Sequence, residues 1–200
     1  PAGFLNTKDK RPNTIFNKTE KELTQQILKY NDKLFICFGI DGSIKTDETT
    51  LKVYKTDQLA LTINKTGVVS IARKFHHMND RIHLAESPFS LENDKERDFK
   101  IKGKRPYMAV CYDLFGIKNW ENENSYDFII GAIHGFDNIR GGDSDFARKG
   151  LAGASKKWKI NSYASAVFSD NRDLTNWPSG VQWKHEDSSV NEMTYNDIRI

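Results

Sequence analysis

Cysteine is scarce in this sequence, and the two copies are not spaced as metal ligands. The 200 residues include only Cys37 and Cys111, so a CxxC pair is absent and a zinc site is not expected. Each thiol lies inside an apolar run, which is typical of a cysteine buried in a strand. Two buried thiols in a chain of this size fit a reducing compartment, and we expect a cytoplasmic protein.

Long hydrophobic runs are also missing. The longest ones, such as residues 34–38 and 128–133, are far too short to cross a bilayer, so no membrane partner is expected. Residues 1–5 lack the basic region and the apolar stretch of a signal peptide. They also lack an initiator methionine, and we expect that residues upstream of Pro1, including an N-terminal strand, are missing from this chain.

An excess of one charge sign is absent as well. Lys and Arg number 30 against 27 Asp and Glu, which gives a formal net charge of +3, and the basic residues are scattered among acids. A nucleic-acid interface concentrates basic residues on one surface. This sequence therefore predicts an ordinary solvated surface and no nucleic-acid partner.

Several motifs of enzyme chemistry are absent or incomplete. Residues 141–145 have no following Lys-Ser/Thr for a phosphate loop, and no G-x-S-x-G nucleophile elbow occurs. His76, His77, Asp80 and His83 lie in an irregular segment without clean ligand spacing, so no metal site is expected. No cofactor is implied.

The remaining pattern is that of a folded α/β domain. Hydrophobic residues make up 38% and charged residues 28%, without repeats or linkers, which predicts a single domain over residues 1–200. Thr19 and Glu22 have capping-box spacing and predict a helix start. Buried strands are predicted at 34–40, 107–111 and 126–133, a hairpin at 59–74, a short polar helix or loop at 117–124 and a helix within 145–161. This alternation favours an α/β sandwich.

In the segment from Arg105 to Asp113, an apolar run ends at a cysteine. Polar and aromatic residues follow Cys111 at once, as in a strand that delivers one reactive side chain to the rim of a sheet. A second segment, 72–76, carries Lys74 in a basic stretch. A lysine held beside a thiol lowers its pKa and favours the nucleophilic thiolate. The alternatives are a structural core cysteine and an ordinary exposed lysine at a strand end.

Five segments follow one another in a distinctive order, and they carry a resemblance that extends from Pro1 to about Gly180. They are the hairpin G-V-V-S-I-A-R-K-F-H, the strand end M-A-V-C-Y-D, the strand Y-D-F-I-I-G-A-I-H-G-F, a helix rich in small residues, and S-Y-A-S-A-V-F. In this order they resemble the nitrilase, or carbon–nitrogen hydrolase, superfamily. The resemblance implies an αββα four-layer sandwich, a homodimer, a small-molecule amide or nitrile substrate, and catalysis by one cysteine, one lysine and two glutamates.

The resemblance also assigns candidate residues. Cys111 is the expected nucleophile, and Lys74 is the cation that stabilises the thiolate and the oxyanion, together with a backbone N–H near Tyr112. Glu86 is the first choice for the second glutamate, and Glu96 is its rival. The expected substrate contacts are Tyr112, His134 and Phe136, with Phe75 and Phe115 as further aromatic candidates. A partly buried histidine and core aromatics are the alternative interpretation of these side chains.

One departure from the family pattern bears directly on activity. The family places its general-base glutamate in P-E-x-F-[LN], and the matching residues 1–6 put Ala2 at that position. Alanine cannot accept the thiol proton or pass it to a leaving amine. The chain is a natural pseudoenzyme, or a variant that traps an inactive form, or Asp9 or Glu20 serves instead. A lesser departure is Cys111–Ile117, where the family's C-Y-D-x-R-F-P-E lacks its Arg and its Pro-Glu.

Three hypotheses of different classes follow. The first is a thiol hydrolase that cleaves a nonpeptide C–N bond through a thioester and is inactive or impaired here because of Ala2. The second is a catalytically silent homologue that acts as a binding or scaffold module. The third is an unrelated α/β protein in which Cys111 is structural.

Overall fold

The computed structural model describes twelve stretches of the chain, and all structural statements concern these. They are residues 5–6, 21–26, 33–41, 44–46, 53–55, 58–74, 97–111, 113–117, 120–133, 150–166, 178–186 and 190–194. Along the chain their elements are β1 (Leu5–Asn6), α1 (residues 21–26), β2 (Ile36–Asp41), β3 (Ile44–Thr46), β4 (Val53–Lys55), β5 (Gln58–Asn64), β6 (Gly67–Arg73), β7 (Pro106–Val110), α2 (Asp113–Ile117), β8 (Phe128–Ile133), α3 (Ala152–Trp158), β9 (Asn161–Ala166), β10 (Pro178–Trp183) and β11 (Val190–Thr194).

The first sheet has the order β1-β2-β5-β6. β2, β5 and β6 pair antiparallel, whereas β1 pairs parallel to β2. The predicted hairpin is confirmed: β5 and β6 turn at Lys65 and Thr66, and Gly67 begins the return strand with a φ of 112°, which suits a residue without a side chain. The side chain of Asn64 accepts the Thr66 backbone N–H at 2.8 Å and stabilises the turn. β3 and β4 form a separate antiparallel pair.

The second sheet has the order β11-β10-β9-β8-β7. β7, β8 and β9 run parallel, and β9, β10 and β11 run antiparallel. Parallel neighbours need a crossover, and α2 and α3 lie in the connections from β7 to β8 and from β8 to β9. All five residues of β7 are buried, as the continuous apolar run predicts.

The two sheets face each other through small and medium side chains. Ala60 of β5 and Ala72 of β6 pack in one cluster with Met108 and Val110 of β7 and Ala132 of β8. Alternation along each strand sends the neighbouring side chains to the opposite faces. This cluster therefore joins β6, which precedes Lys74, to β7, which precedes Cys111.

Helical residues pack on each of the two sheets. Leu114 and Ile117 of α2 and Ala154 and Trp158 of α3 pack on the second sheet, over a core that also holds Tyr107 and Ile129. Gly131 of β8 permits this approach, because a Cβ there would lie 3.2 Å from Leu114 Cδ1 and 3.2 Å from the Ala164 Cβ. On the first sheet, Leu23 of α1 packs against the core of Phe38, Leu61 and Ile63.

The structure differs from the sequence prediction on both sides of Cys111. The sequence predicts a short polar helix or loop at 117–124; the helix α2 begins earlier, at Asp113, and ends at Ile117, and residues 120–124 form a loop. The strand expected to include Cys111 ends at Val110. The mixed α/β class is confirmed. None of the helices in the described stretches is long and apolar enough to cross a membrane.

Candidate active site

Cys111 occupies the sharp turn between β7 and α2. Its φ is 50°, in the left-handed region that a non-glycine residue enters at a cost of about 1–2 kcal/mol. Its backbone N–H donates to the Ala132 carbonyl at 2.7 Å, and its carbonyl accepts the Leu114 N–H at 3.2 Å. β8 and α2 therefore hold both of its peptide groups. Hydrolases of another fold present their nucleophile on a similarly strained strand-to-helix turn.

The Cys111 residue is buried, with 6% of its surface exposed. It belongs to the apolar cluster on the helix side of the second sheet, with Tyr107 and Ala109 of β7. Phe115, which the sequence interpretation considers for the pocket, packs half-buried against the same cluster. The thiol thus sits in low-dielectric surroundings, where a nearby charge acts more strongly than it does in water.

Lys74 follows β6 directly and is buried, with only 4% of its surface exposed. The alternative interpretation of Lys74 as an exposed lysine at a strand end is therefore wrong. Two residues earlier, Ala72 packs in the same cluster as Val110, which immediately precedes Cys111. The two chain segments that carry the candidate lysine and cysteine therefore end beside the same inter-sheet cluster. Lysine side chains are seldom buried to this extent unless they are paired, which distinguishes Lys74 from an ordinary surface lysine.

A buried ion pair, Arg97–Asp113, borders the Cys111 turn and was not foreseen from the sequence. The guanidinium Nη1 lies 3.4 Å from Asp113 Oδ2 and donates to the Met108 carbonyl at 2.8 Å. The same Asp113 oxygen accepts the Val110 backbone N–H at 3.0 Å. Arg97 and Asp113 are 3% and 0% exposed. In the sequence Arg97 stands in the charged run K-E-R-D, which is typical of a solvated surface and gave no sign of burial.

The remaining predicted site residues lie outside the described stretches, and their roles stay predictions. They are Ala2, Glu86, Glu96, Tyr112, His134 and Phe136, together with Asp9, Glu20 and Phe75. The His76–His83 segment lies outside as well. Within the stretches that the structure describes, no group of three or more His, Cys, Asp or Glu side chains is arranged to hold a metal ion.

The second thiol differs in its surroundings. Cys37 of β2 is half-buried, and its sulfur lies 3.3 Å from the Thr62 hydroxyl of the neighbouring β5. Burial raises the pKa of the Cys37 thiol, and the hydrogen bond with Thr62 opposes this only in part. At neutral pH Cys37 is therefore a thiol and a poor nucleophile.

Solved structures of amidases match most of this chain. A structure of the amidase from Nesterenkonia sp. AN1 in which acrylamide has added to the active-site cysteine has a TM-score of 0.56 at 9% identity, over 92% of this chain and 70% of that chain. A cysteine-to-serine variant of that amidase, described as from the nitrilase superfamily, has a TM-score of 0.56 at 8% identity, over 91% and 67%.

A larger enzyme also contains a matching region. The glutamine-dependent NAD+ synthetase from Acinetobacter baumannii has a TM-score of 0.51 at 12% identity, over 91% of this chain and 33% of that chain. This chain spans 63% to 71% of the length of the amidase chains it matches. Neither a protein-family model nor a curated protein matches the sequence. At such low identity the likeness concerns the fold alone, and the fold of this chain is similar to that of these amidases.

Proposed function

We propose that this chain is a cysteine-dependent carbon–nitrogen hydrolase domain of the amidase type, with Cys111 as its nucleophile. The observation that carries the proposal is the left-handed turn at Cys111, between β7 and α2, in a fold shared with amidases that have an active-site cysteine. A strained non-glycine backbone persists only where the surrounding structure enforces it, and such positions cluster at functional sites.

The reaction follows from the chemistry of a thiolate beside a cation. The Cys111 sulfur attacks the carbonyl carbon of a small amide, a C–S bond forms, and the carbonyl oxygen becomes an oxyanion. The C–N bond then breaks, and the amine leaves with the proton that a base took from the thiol. Water attacks the thioester, the C–S bond breaks, and the carboxylic acid and the free thiol are released.

Lys74 is the proposed electrostatic partner of this reaction. Its ammonium stabilises the thiolate before the attack and the oxyanion after it, together with a backbone N–H near Tyr112. Glu86, with Glu96 as the rival, is the proposed second glutamate, and Tyr112, His134 and Phe136 are the proposed substrate contacts. The proposal includes the four-layer αββα arrangement, a single domain over residues 1–200 and a homodimer.

Proton transfer is the step that this chain performs poorly. Ala2 stands at the proposed general-base position, and removal of a general base lowers rates by about 10²–10⁴. We therefore propose that the chain as it stands is inactive or impaired toward amides and nitriles. The competing function is a silent homologue that binds small amides or a partner without cleaving them, and the same Ala2 favours it.

Restoration of the carboxylate tests the proposal directly. The variants are A2E, its uncharged match A2Q, and the double variant A2E/C111A, assayed for ammonia release from a panel of aliphatic amides and nitriles. We expect release by A2E to exceed release by A2Q by about 10²-fold or more, and to vanish in A2E/C111A. If folded A2E and A2Q both release ammonia no faster than buffer alone, the proposed enzymatic activity is contradicted and the silent homologue is favoured.

A further inference from the structure

We infer that Arg97 and Asp113 are positioning residues, which hold the turn at Cys111 in its left-handed conformation and so aim the thiol. Neither residue is proposed to touch the substrate. The consequence for reactivity rests on the proposed function, because it assumes that Cys111 is an activated nucleophile. The consequence for the backbone does not.

The outer edge of β7 carries buried backbone groups that need partners. In a parallel pair, alternate residues of a strand bond to the neighbouring strand. The Cys111 N–H bonds to Ala132 of β8, so the backbone groups of Met108 and Val110 face the other side. Among the described strands, β7 is the last of its sheet on that side. The Met108 carbonyl and the Val110 N–H are both buried, and buried backbone groups need partners.

Side chains supply the partners of these two backbone groups. The Arg97 guanidinium donates to the Met108 carbonyl, and the Asp113 carboxylate accepts the Val110 N–H. Two side chains thus bond to the edge where a neighbouring strand would otherwise bond. The guanidinium also lies over the Tyr107 ring, 5.5 Å from its centroid, which adds a cation–π contact with β7.

The hydrogen bond of Asp113 with Val110 spans the turn at Cys111. Asp113 is the first residue of α2, and Val110 is the last residue of β7. The hydrogen bond between them therefore bridges the turn that contains Cys111. Without this bridge, the turn has the Ala132 and Leu114 contacts to oppose relaxation of the φ of 50°. Arg97 in turn holds the Asp113 carboxylate in place.

The Arg97–Asp113 pair acts on the position of the turn more than on the stability of the fold. A buried ion pair contributes little net stability, because the loss of hydration offsets the attraction, and replacing both partners by apolar side chains is often neutral. What apolar side chains cannot replace is the directed hydrogen bond to the Val110 N–H. The double variant R97M/D113L therefore removes the bridge and leaves no lone buried charge.

The experiment compares D113N, R97M, R97K and R97M/D113L with a matched control, D98N. Asp98 pairs with Arg105 at 2.7 Å in a half-exposed ion pair on the same segment as Arg97, away from the Cys111 turn. Two quantities are measured on folded protein: amide hydrogen exchange in the peptide that covers residues 108–114, and the rate of Cys111 alkylation by iodoacetamide across pH. Peptide mass spectrometry reads both.

We expect R97M/D113L and D113N to speed exchange in this peptide and to slow Cys111 alkylation at neutral pH, by about tenfold or more, because a small misplacement of a reacting group is costly. The alkylation profile shifts to higher pH in these variants, R97K recovers part of the wild-type behaviour, and D98N matches the wild type. A purely structural pair changes the unfolding midpoint without moving the alkylation profile.

The outcomes separate this inference from the proposed function. Faster amide exchange in R97M/D113L but not in D98N supports the positioning role. If, in the same experiment, Cys111 of the wild type alkylates no faster than an ordinary buried thiol, its proposed role as the nucleophile is contradicted. Wild-type exchange and a wild-type alkylation profile in R97M/D113L overturn the positioning role. If D113N and R97M do not fold, R97M/D113L and R97K decide.

Discussion

The carboxylate of Asp113 accepts the backbone N–H of Val110 at 3.0 Å, across the two residues that separate β7 from α2. That contact joins the last residue of a buried strand to the first residue of a helix. Cys111 lies between them with its backbone in the left-handed region. The candidate nucleophile is thus held by the strand, by the helix and by the side chain of its near neighbour.

The two thiols are expected to differ in reactivity. Because burial raises the pKa of Cys37, little of it is thiolate at pH 7, whereas an activated Cys111 reacts at that pH. A substoichiometric iodoacetamide pulse at pH 7, read by peptide mass spectrometry, should therefore label Cys111 before Cys37. Preferential labelling of Cys37 in the native protein contradicts the activation of Cys111.

Loss of the Thr62 hydroxyl should raise the pKa of Cys37 further. The Thr62 hydrogen bond lowers the pKa of Cys37 against the larger effect of burial. In the T62V variant the pKa of Cys37 should therefore rise, so that its alkylation begins at higher pH than in the wild type. Cys111 provides the internal control, since its profile should stay unchanged. An unchanged Cys37 profile in T62V shows that the hydroxyl does not stabilise the thiolate.

Lys74 should matter for catalysis. In the A2E background, K74M should lower amide hydrolysis by about 10²–10³, because it removes the cation that stabilises the oxyanion. K100M, at an exposed lysine, is the matched control. Full activity in A2E/K74M removes Lys74 from the proposed site.

Gly131 should not tolerate a side chain. An added Cβ would lie 3.2 Å from both Leu114 Cδ1 and the Ala164 Cβ, so G131A should shift α2 and destabilise the fold by about 1–3 kcal/mol. In α3, no atom of the described residues beyond the helix's own backbone lies within 4 Å of a Cβ added at Gly153, and G153A should stabilise by about 0.5–1 kcal/mol. Urea denaturation measures both. A G131A protein as stable as the wild type shows that α2 is not tightly seated.

The acid side of the stability curve should depend on Asp127. The Lys104 ammonium, followed by the Arg105 backbone N–H, holds the pKa of Asp127 below its usual range. A carboxyl with a lowered folded-state pKa contributes stability above its unfolded pKa of about 3.9, and this is lost as pH falls through the folded value. Below about pH 4, D127N should therefore lose less stability than the wild type. E123Q, at an exposed acid, is the control in urea denaturation between pH 2 and 6.

Local pattern predicted the elements better than their ends. The hairpin of β5 and β6 followed from a turn sequence between two apolar runs, and the strand before Cys111 followed from its apolar run. The start of α2 at Asp113 did not, because a five-residue helix is too short to show a period. The left-handed Cys111 was equally hidden, since nothing but glycine announces that conformation in a sequence.

By itself the sequence determined the α/β class, the thiol at a strand end and the lysine after a hairpin, because hydrophobic alternation and turn chemistry act over a few residues. Tertiary structure alone decided that Lys74 is buried and that Arg97 pairs with Asp113. Those two residues lie 16 positions apart, and a charged side chain becomes buried when distant segments fold over it, which no local pattern encodes.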